Sequence, residues 1–205
     1  MMKHIKTMAA VALLCSMGVF TGCNEDTEIC DICESMTDPH DGRVYKTIKI
    51  GNQTWTAENM DVVMDDSWCY EDKLENCKKY GRLYKWDAAK AACPEGWRLP
   101  SKEDFEELFS VVGGQSIAGK KLKSKAGWKK SGNGEGGFFF KALPGGIRLD
   151  EGKFLNEGNY AYFWTSTEFG EGSAYNMYLD QGSGSAFVYD DFKFNGRSVR
   201  CVKNE

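Results

Sequence analysis

The chain of 205 residues carries 26 Lys and Arg against 30 Asp and Glu, a net charge of −4 with histidine neutral. An acidic balance with no basic run argues against nucleic acid and anionic lipid headgroups as partners, and the length suits one domain plus a targeting segment. The two histidines, His4 and His40, leave no material for a Ser-His-Asp triad or a histidine-ligated zinc site.

Lys3 and Lys6 precede an apolar run over residues 8–20 that is too short to span a bilayer, so residues 1–22 read as an export signal. The run closes on Phe20-Thr21-Gly22-Cys23, which is similar to a bacterial lipobox. There, small residues precede a cysteine that is lipidated and becomes the new N-terminus. The alternative is an ordinary signal peptide followed by a chance cysteine. Several acyl chains on Cys23 would anchor the protein stably, where one binds only reversibly. The expected location is the cell envelope, as an outer-membrane lipoprotein. The acidic residues 24–28 are similar to short signals that carry lipoproteins to the outer cell surface. Loss of Lys3 and Lys6 with the signal leaves 24 basic against 30 acidic side chains, a net of −6. Residues 23–37 lack apolar periodicity and read as anchor and linker, ahead of a domain over residues 38–205.

Cys15 lies in the signal and Cys23 at the anchor, which leaves six of the eight cysteines for the exported domain. An even number outside the cell implies disulfides, and six cysteines allow fifteen connectivities. Cys69 and Cys77 bracket a short segment and suit a local loop. A Cys93–Cys201 bridge would tie the centre of the chain to its last strand. Cys30-Asp31-Ile32-Cys33 has thioredoxin-like spacing, but Glu28, Asp31 and Glu34 disfavour a thiolate, and no strand–helix pattern surrounds the pair. A small structural loop or an exchangeable pair is the expectation there.

Residues 43–50 read as a strand with Val44, Ile48 and Ile50 on one face. Gly51-Asn52 supplies a turn and residues 53–56 the return strand. Residues 81–86 alternate as a short half-buried strand. Asp87 is placed to cap a short helix through Ala88, Ala89, Ala91 and Ala92, which Pro94 and Gly96 stop. Ser101 and Asp104 have capping-box spacing, and Phe105, Leu108, Phe109 and Val112 then form one apolar helix face. Residues 117–124 suit a second short helix. The glycine-rich residues 131–137 lack the Lys-Ser or Lys-Thr of a phosphate loop and read as a flexible surface loop. Strands are expected over 138–143, 147–149, 153–155, 162–167, 174–179, 186–189 and 198–203. In the fifth of these Tyr175, Met177 and Leu179 share one face; in the last, Val199 and Cys201 face one way and Arg200 the other.

Several stretches together carry a resemblance. They are residues 41–51 (DGRVYKTIKIG), Gln53-Thr54-Trp55, residues 57–60 (AENM), residues 80–84 (YGRLY) and Cys93-Pro94. Further on come residues 96–100 (GWRLP), Ala142-Leu143-Pro144, residues 163–168 (FWTSTE) and residues 198–202 (SVRCV). In these the chain resembles the Fibrobacter succinogenes major paralogous domain family across residues 38–203. The resemblance implies an α+β, C-type-lectin-like fold: two short helices packed on small twisted antiparallel sheets, stabilised by disulfides. It also implies a bridge from a cysteine on the first helix to the last strand, which agrees with Cys93–Cys201. Family members are often exported, commonly as lipoproteins.

Lectin-like folds carry ligands on the irregular loops between the second helix and the last strands. In this chain those loops hold Arg148, Asn156, Asn159, Tyr160, Trp164, Glu168 and Asn176, whose ring faces, amides and carboxylates suit sugars. For Trp164, packing in the core is the competing reading. The Glu-Pro-Asn and Trp-Asn-Asp motifs of calcium-dependent sugar-binding lectins are absent. No cofactor is expected, although Asp180, Asp190 and Asp191 are oxygen donors of the right type for calcium. The function expected is a lipid-anchored envelope module that binds extracellular carbohydrate, not an enzyme. A surface protein that binds another protein, or a structural envelope protein, is the alternative, and a carboxylate-based glycan-acting enzyme the more distant one.

Overall fold

In the computed structural model, which describes residues 34–204, three antiparallel strands come first: β1 (Glu34–Thr37), β2 (Val44–Ile50) and β3 (Gln53–Thr56). The signal segment 1–22, Cys23 and the Cys30–Cys33 pair lie outside the described residues. Residues 34–37, expected to end a linker, instead pair along β2, with Glu34 opposite Thr47 and Thr37 opposite Val44. Met36 is the one buried residue of the four, and a single inward side chain leaves no period to read. The β2–β3 hairpin turns at Gly51-Asn52 as expected. The expected face of β2 needs correction, because Val44 is 57% exposed. Tyr45 packs in one hydrophobic core while Ile48 and Ile50 pack in another, so β2 serves both of its faces.

The middle of the chain holds β4 (Ser67–Trp68), a 3-10 turn at Tyr70–Asp72, α1 (Leu74–Tyr80), β5 (Leu83–Tyr84) and α2 (Trp86–Ala91). After these come β6 (Trp97–Arg98), α3 (Lys102–Val111) and α4 (Gln115–Leu122). The described chain thus has four α-helices, where the sequence reading gives three and the resemblance implies two; α1 is the one not expected. The Cys69–Cys77 disulfide closes an eight-residue separation onto α1. Asp87 lies inside α2 and pairs with Lys90 at 2.8 Å; Lys85 holds the cap position. The capping box of α3 forms as expected, with the Asp104 amide donating to Ser101 Oγ and the Ser101 amide donating to the Asp104 carboxylate. Phe105, Leu108, Phe109 and Val112 are all buried.

The same Asp104 carboxylate accepts from both terminal nitrogens of Arg98. Burial pushes its pKa up, but the hydrogen bonds from Arg98 and Ser101 outweigh burial and hold it below the ordinary carboxylate value. Such a group contributes stability above its unfolded pKa, and that contribution disappears as pH falls through the folded value. Asp104→Asn is expected to cost about 1–2 kcal/mol at neutral pH. The gap between variant and parent should close below about pH 4, read by denaturant unfolding at several pH values. A gap that persists unchanged in acid contradicts this assignment.

Residues 131–137 are a packed loop, not a free one. The amides of Gly134, Glu135 and Gly136 donate to carbonyls of Ser124, Lys120 and Lys123 at the end of α4. A Cβ on Gly132 or Gly134 would sit 2.6 Å from the Gln181 oxygen or 2.4 Å from the Lys123 oxygen, so close backbone approach explains the glycines. Residues 138–143 do not form the expected strand. A 3-10 turn at Gly137–Phe139 is followed by Lys141, and Phe138, Phe139 and Lys141 all have positive φ. This winding drops Phe140 into the core, edge-on to Trp55 and Phe163.

The hairpin of β7 (Ile147–Arg148) and β8 (Phe154–Leu155) follows as expected. It leads to β9 (Tyr160–Gly170), β10 (Ser173–Asp180), β11 (Ala186–Phe192) and the short β12 (Val202–Lys203). The architecture is α+β, with a five-stranded sheet in the order β1-β2-β3-β12-β6, a three-stranded sheet β11-β10-β9 and two small ladders. One core joins α3 and α4 to Ile48, Trp55, Phe140, Phe163 and Met177. The other gathers Tyr45, Tyr84, Trp86, Leu99, Trp164, Val199 and Cys201. Residues 198–202 run between them: Val199 and Cys201 enter the second core, and Arg200 lies over Phe140 and Phe163. The Cys93–Cys201 disulfide ties this segment to the turn after α2, with Cα atoms 5.7 Å apart.

Candidate functional site: an aromatic ladder and its cleft

Strand alternation sorts the three-stranded sheet into two faces. Ala161, Phe163, Met177, Leu179 and Ala186 point into the first core. The opposite set is Tyr160, Tyr162, Tyr178, Phe187 and Tyr189. The register places Tyr178 between Tyr162 and Phe187, and Tyr160 opposite Asp180. Tyr160 stacks on Tyr162 with centroids 5.5 Å apart, Tyr162 lies 5.9 Å from Tyr178, and Tyr178 stacks on Phe187 at 4.9 Å. Tyr189 extends the row at 6.0 Å from Tyr178 and is 60% exposed; the other four rings are half-buried. A contiguous aromatic row left accessible on a sheet face is an unusual way to leave apolar surface in water.

One end of this face is closed. Trp164 is fully buried, its indole N–H donating to the Tyr84 carbonyl at 2.8 Å. Arg197 covers both Tyr162 and Trp164 and is ion-paired with Asp191. The other end opens. Asn156 donates to the Tyr162 hydroxyl at 3.0 Å and leads into a cleft of about 530 Å³ lined by Tyr70, Asn76, Phe154, Asn156, Glu157 and Asn159. Asn156 has φ +71°, a left-handed conformation that asparagine tolerates better than most residues and that recurs at ligand-contacting loops.

The phenols of Tyr160, Tyr162 and Tyr178 stay protonated near neutral pH. Burial pushes Tyr162 up to about 12, and the Asp180 carboxylate is the main cause raising Tyr160. Glu157 is held below the ordinary carboxylate value, chiefly by the Tyr80 hydroxyl donating to it at 2.5 Å, with Lys129 also in reach. The site therefore offers ring faces, hydroxyls and amides, with the carboxylates of Glu71, Glu75 and Glu157 and the cations of Lys73 and Lys129 along the cleft. A set of this kind suits polyhydroxylated ligands.

Of the residues expected from the sequence, Asn156, Asn159 and Tyr160 meet at the open end. Arg148 lies beside it, its guanidinium 3.8 Å over Trp68. Glu168 sits at the far end of β9, 3.3 Å from Lys193. Trp164 and Asn176 correct the expectation: both are buried, and Asn176 donates to the Tyr189 carbonyl. They share the parity of the ladder, but Tyr84 and Arg197 cover that end. Tyr162, Tyr178, Phe187 and Tyr189 were missed, although placing Met177 and Leu179 in the core implies that Tyr178 faces outward. Of the acids considered for calcium, Asp191 binds Arg197 and Asn195, and Asp180 accepts the Gly182 amide. Among the described residues no group of three or more His, Cys, Asp and Glu converges to hold a metal ion, and no helix is long and apolar enough to cross a membrane.

These features define a small disulfide-braced α+β domain with one aromatic sheet face. The chain belongs to the Fibrobacter succinogenes major domain family, whose model matches residues 48–203. No curated protein and no solved structure matches it.

Proposed function

We propose that the protein is a binding module of the cell envelope, with a C-type-lectin-like fold, that holds extracellular carbohydrate along the Tyr160–Tyr189 ladder and in the adjoining cleft. Lipidated Cys23 would tether it to the outer membrane. The observation that carries the reading is the join between the two parts: an accessible aromatic row runs into a cleft lined by amides and charged side chains through the Asn156–Tyr162 hydrogen bond. Aromatic faces stack on sugar rings while amides and the Glu157 carboxylate bond their hydroxyls. No cofactor takes part in this scheme, and chelator should leave binding unchanged. The return of the last strand beside β3, locked to Cys93, supports the lectin-like description.

Tyr189→Ala removes the most exposed ring without touching the core. It is expected to weaken glycan binding about tenfold with an unchanged melting curve, since one stacking ring is worth roughly 1–1.5 kcal/mol. Binding to immobilised polysaccharide measures this, and an undiminished affinity removes the ladder from the site. A protein ligand is the second reading. It is favoured by the Phe192–Phe194 pair, stacked at 5.0 Å at the end of edge strand β11 and 57% and 41% exposed. Retention of a protein partner that depends on Phe192 would support it.

A further inference from the structure

A second cavity, of about 370 Å³, shares no lining residue with the glycan cleft. Arg200 lines it and is 2% exposed. Its Nε donates to Asn59 Oδ1 at 2.5 Å, its Nη1 donates to the Thr56 carbonyl at 2.9 Å, and its Cζ lies 4.6 Å from the Phe140 ring centroid. These partners are neutral, and no carboxylate of the described residues lies within ion-pair distance of it. The comparison with Arg197 is direct: that equally buried guanidinium has Asp191. A buried cation without a counter-charge is costly, so a fold that keeps one beside a cavity has a use for an anion there.

The rim adds positive charge to a chain that is acidic overall. Lys46 and Lys78 form no ion pair among the described residues, and Lys79 lies 4.5 Å over the Tyr80 ring. Arg43 also lines the cavity but is committed to Asp61, and Glu58 is the one carboxylate in the lining. Burial lowers the Arg200 pKa to about 9, against the opposing pull of Glu58; an anion in the cavity would raise it again.

We propose that this cavity is an anion site that takes a single carboxylate, sulfate or phosphate group of an acidic ligand, with the free guanidinium edge of Arg200 at its floor and Lys46 and Lys78 closing from the rim. Arginine suits the floor because its fork meets two oxygens of such a group at once. The site is separate from the glycan ladder and does not depend on it.

The test titrates the purified full chain with sulfate, inorganic phosphate or glucuronate, at ionic strength matched by sodium chloride, and follows melting temperature and heat of binding. At least one of the three should bind saturably where chloride does not, and the arm that responds identifies a sulfated, phosphorylated or uronate-bearing ligand. Lys46→Ser with Lys78→Ser should weaken that binding about tenfold while leaving the anion-free melting curve unchanged. Arg200→Lys should abolish it, and the lysine pair keeps the test valid if that core variant fails to fold. Tyr189→Ala should leave it intact, which separates this site from the ladder. No saturable response beyond chloride, or a response unchanged in the lysine pair, overturns the proposal.

Discussion

Replacing Cys93 and Cys201 together by alanine should lower the melting temperature by roughly 10–20 °C. The bridge closes a separation of 108 residues, and the chain-entropy relation values a loop of that length at about 4–5 kcal/mol. The bridge also has a specific place in the fold. Cys201 lies in the second core between Arg200 and Val202, and Val202 pairs with both β3 and β6. Freeing the segment loosens the strand that joins the two halves of the five-stranded sheet. The Cys69–Cys77 bridge closes only eight residues, for which the same relation gives about 2–3 kcal/mol. Thermal melts of the two alanine pairs should therefore rank with the long bridge more costly. A larger loss on removing the short bridge contradicts this division of labour.

Trp164→Ala should cost about 3–5 kcal/mol, the usual range for deleting a fully buried aromatic side chain. Three contacts go with it: packing in the second core, the indole bond to Tyr84, and the ring under Arg197. The Tyr84 carbonyl keeps the Arg197 amide as a donor, so the loss is mainly of packing and not of an orphaned acceptor. Urea unfolding measures it, and a change below about 1 kcal/mol would mean that Trp164 is not the core residue described. The variant consequently says nothing about ligand contact. Tyr189→Ala, on the same sheet face but exposed, does.

What the sequence made legible follows from how local each signal is. The capping box at Ser101 and the apolar face of α3 are complete within a dozen residues, and both form as read. The hairpins at Gly51-Asn52 and at 150–152 are likewise local. α1 escaped notice because it is two turns long, lacks a side-chain cap and is held by a disulfide. Residues 138–143 misled because one inserted phenylalanine, Phe140, needs the same apolar run that a strand would. The candidate site was half visible. Asn156, Asn159 and Tyr160 are close neighbours along the chain, on the loop into β9 and at its first residue, whereas the ladder arises from register across β9, β10 and β11, which no single strand encodes. Trp164 has the parity of the ladder, and only long-range cover by Tyr84 and Arg197 removes it from the surface.

The central claim is that the accessible aromatic row binds carbohydrate. The most direct test incubates the purified chain, and a Tyr178→Ala/Tyr189→Ala variant with an unchanged fold, with a panel of insoluble and arrayed polysaccharides, with and without chelator. Saturable binding by the parent chain, at least about tenfold weaker in the variant and indifferent to chelator, is the predicted result. Binding to none of the polysaccharides, or binding equally strong without the two rings, would contradict the account and turn attention to a protein ligand at Phe192 and Phe194.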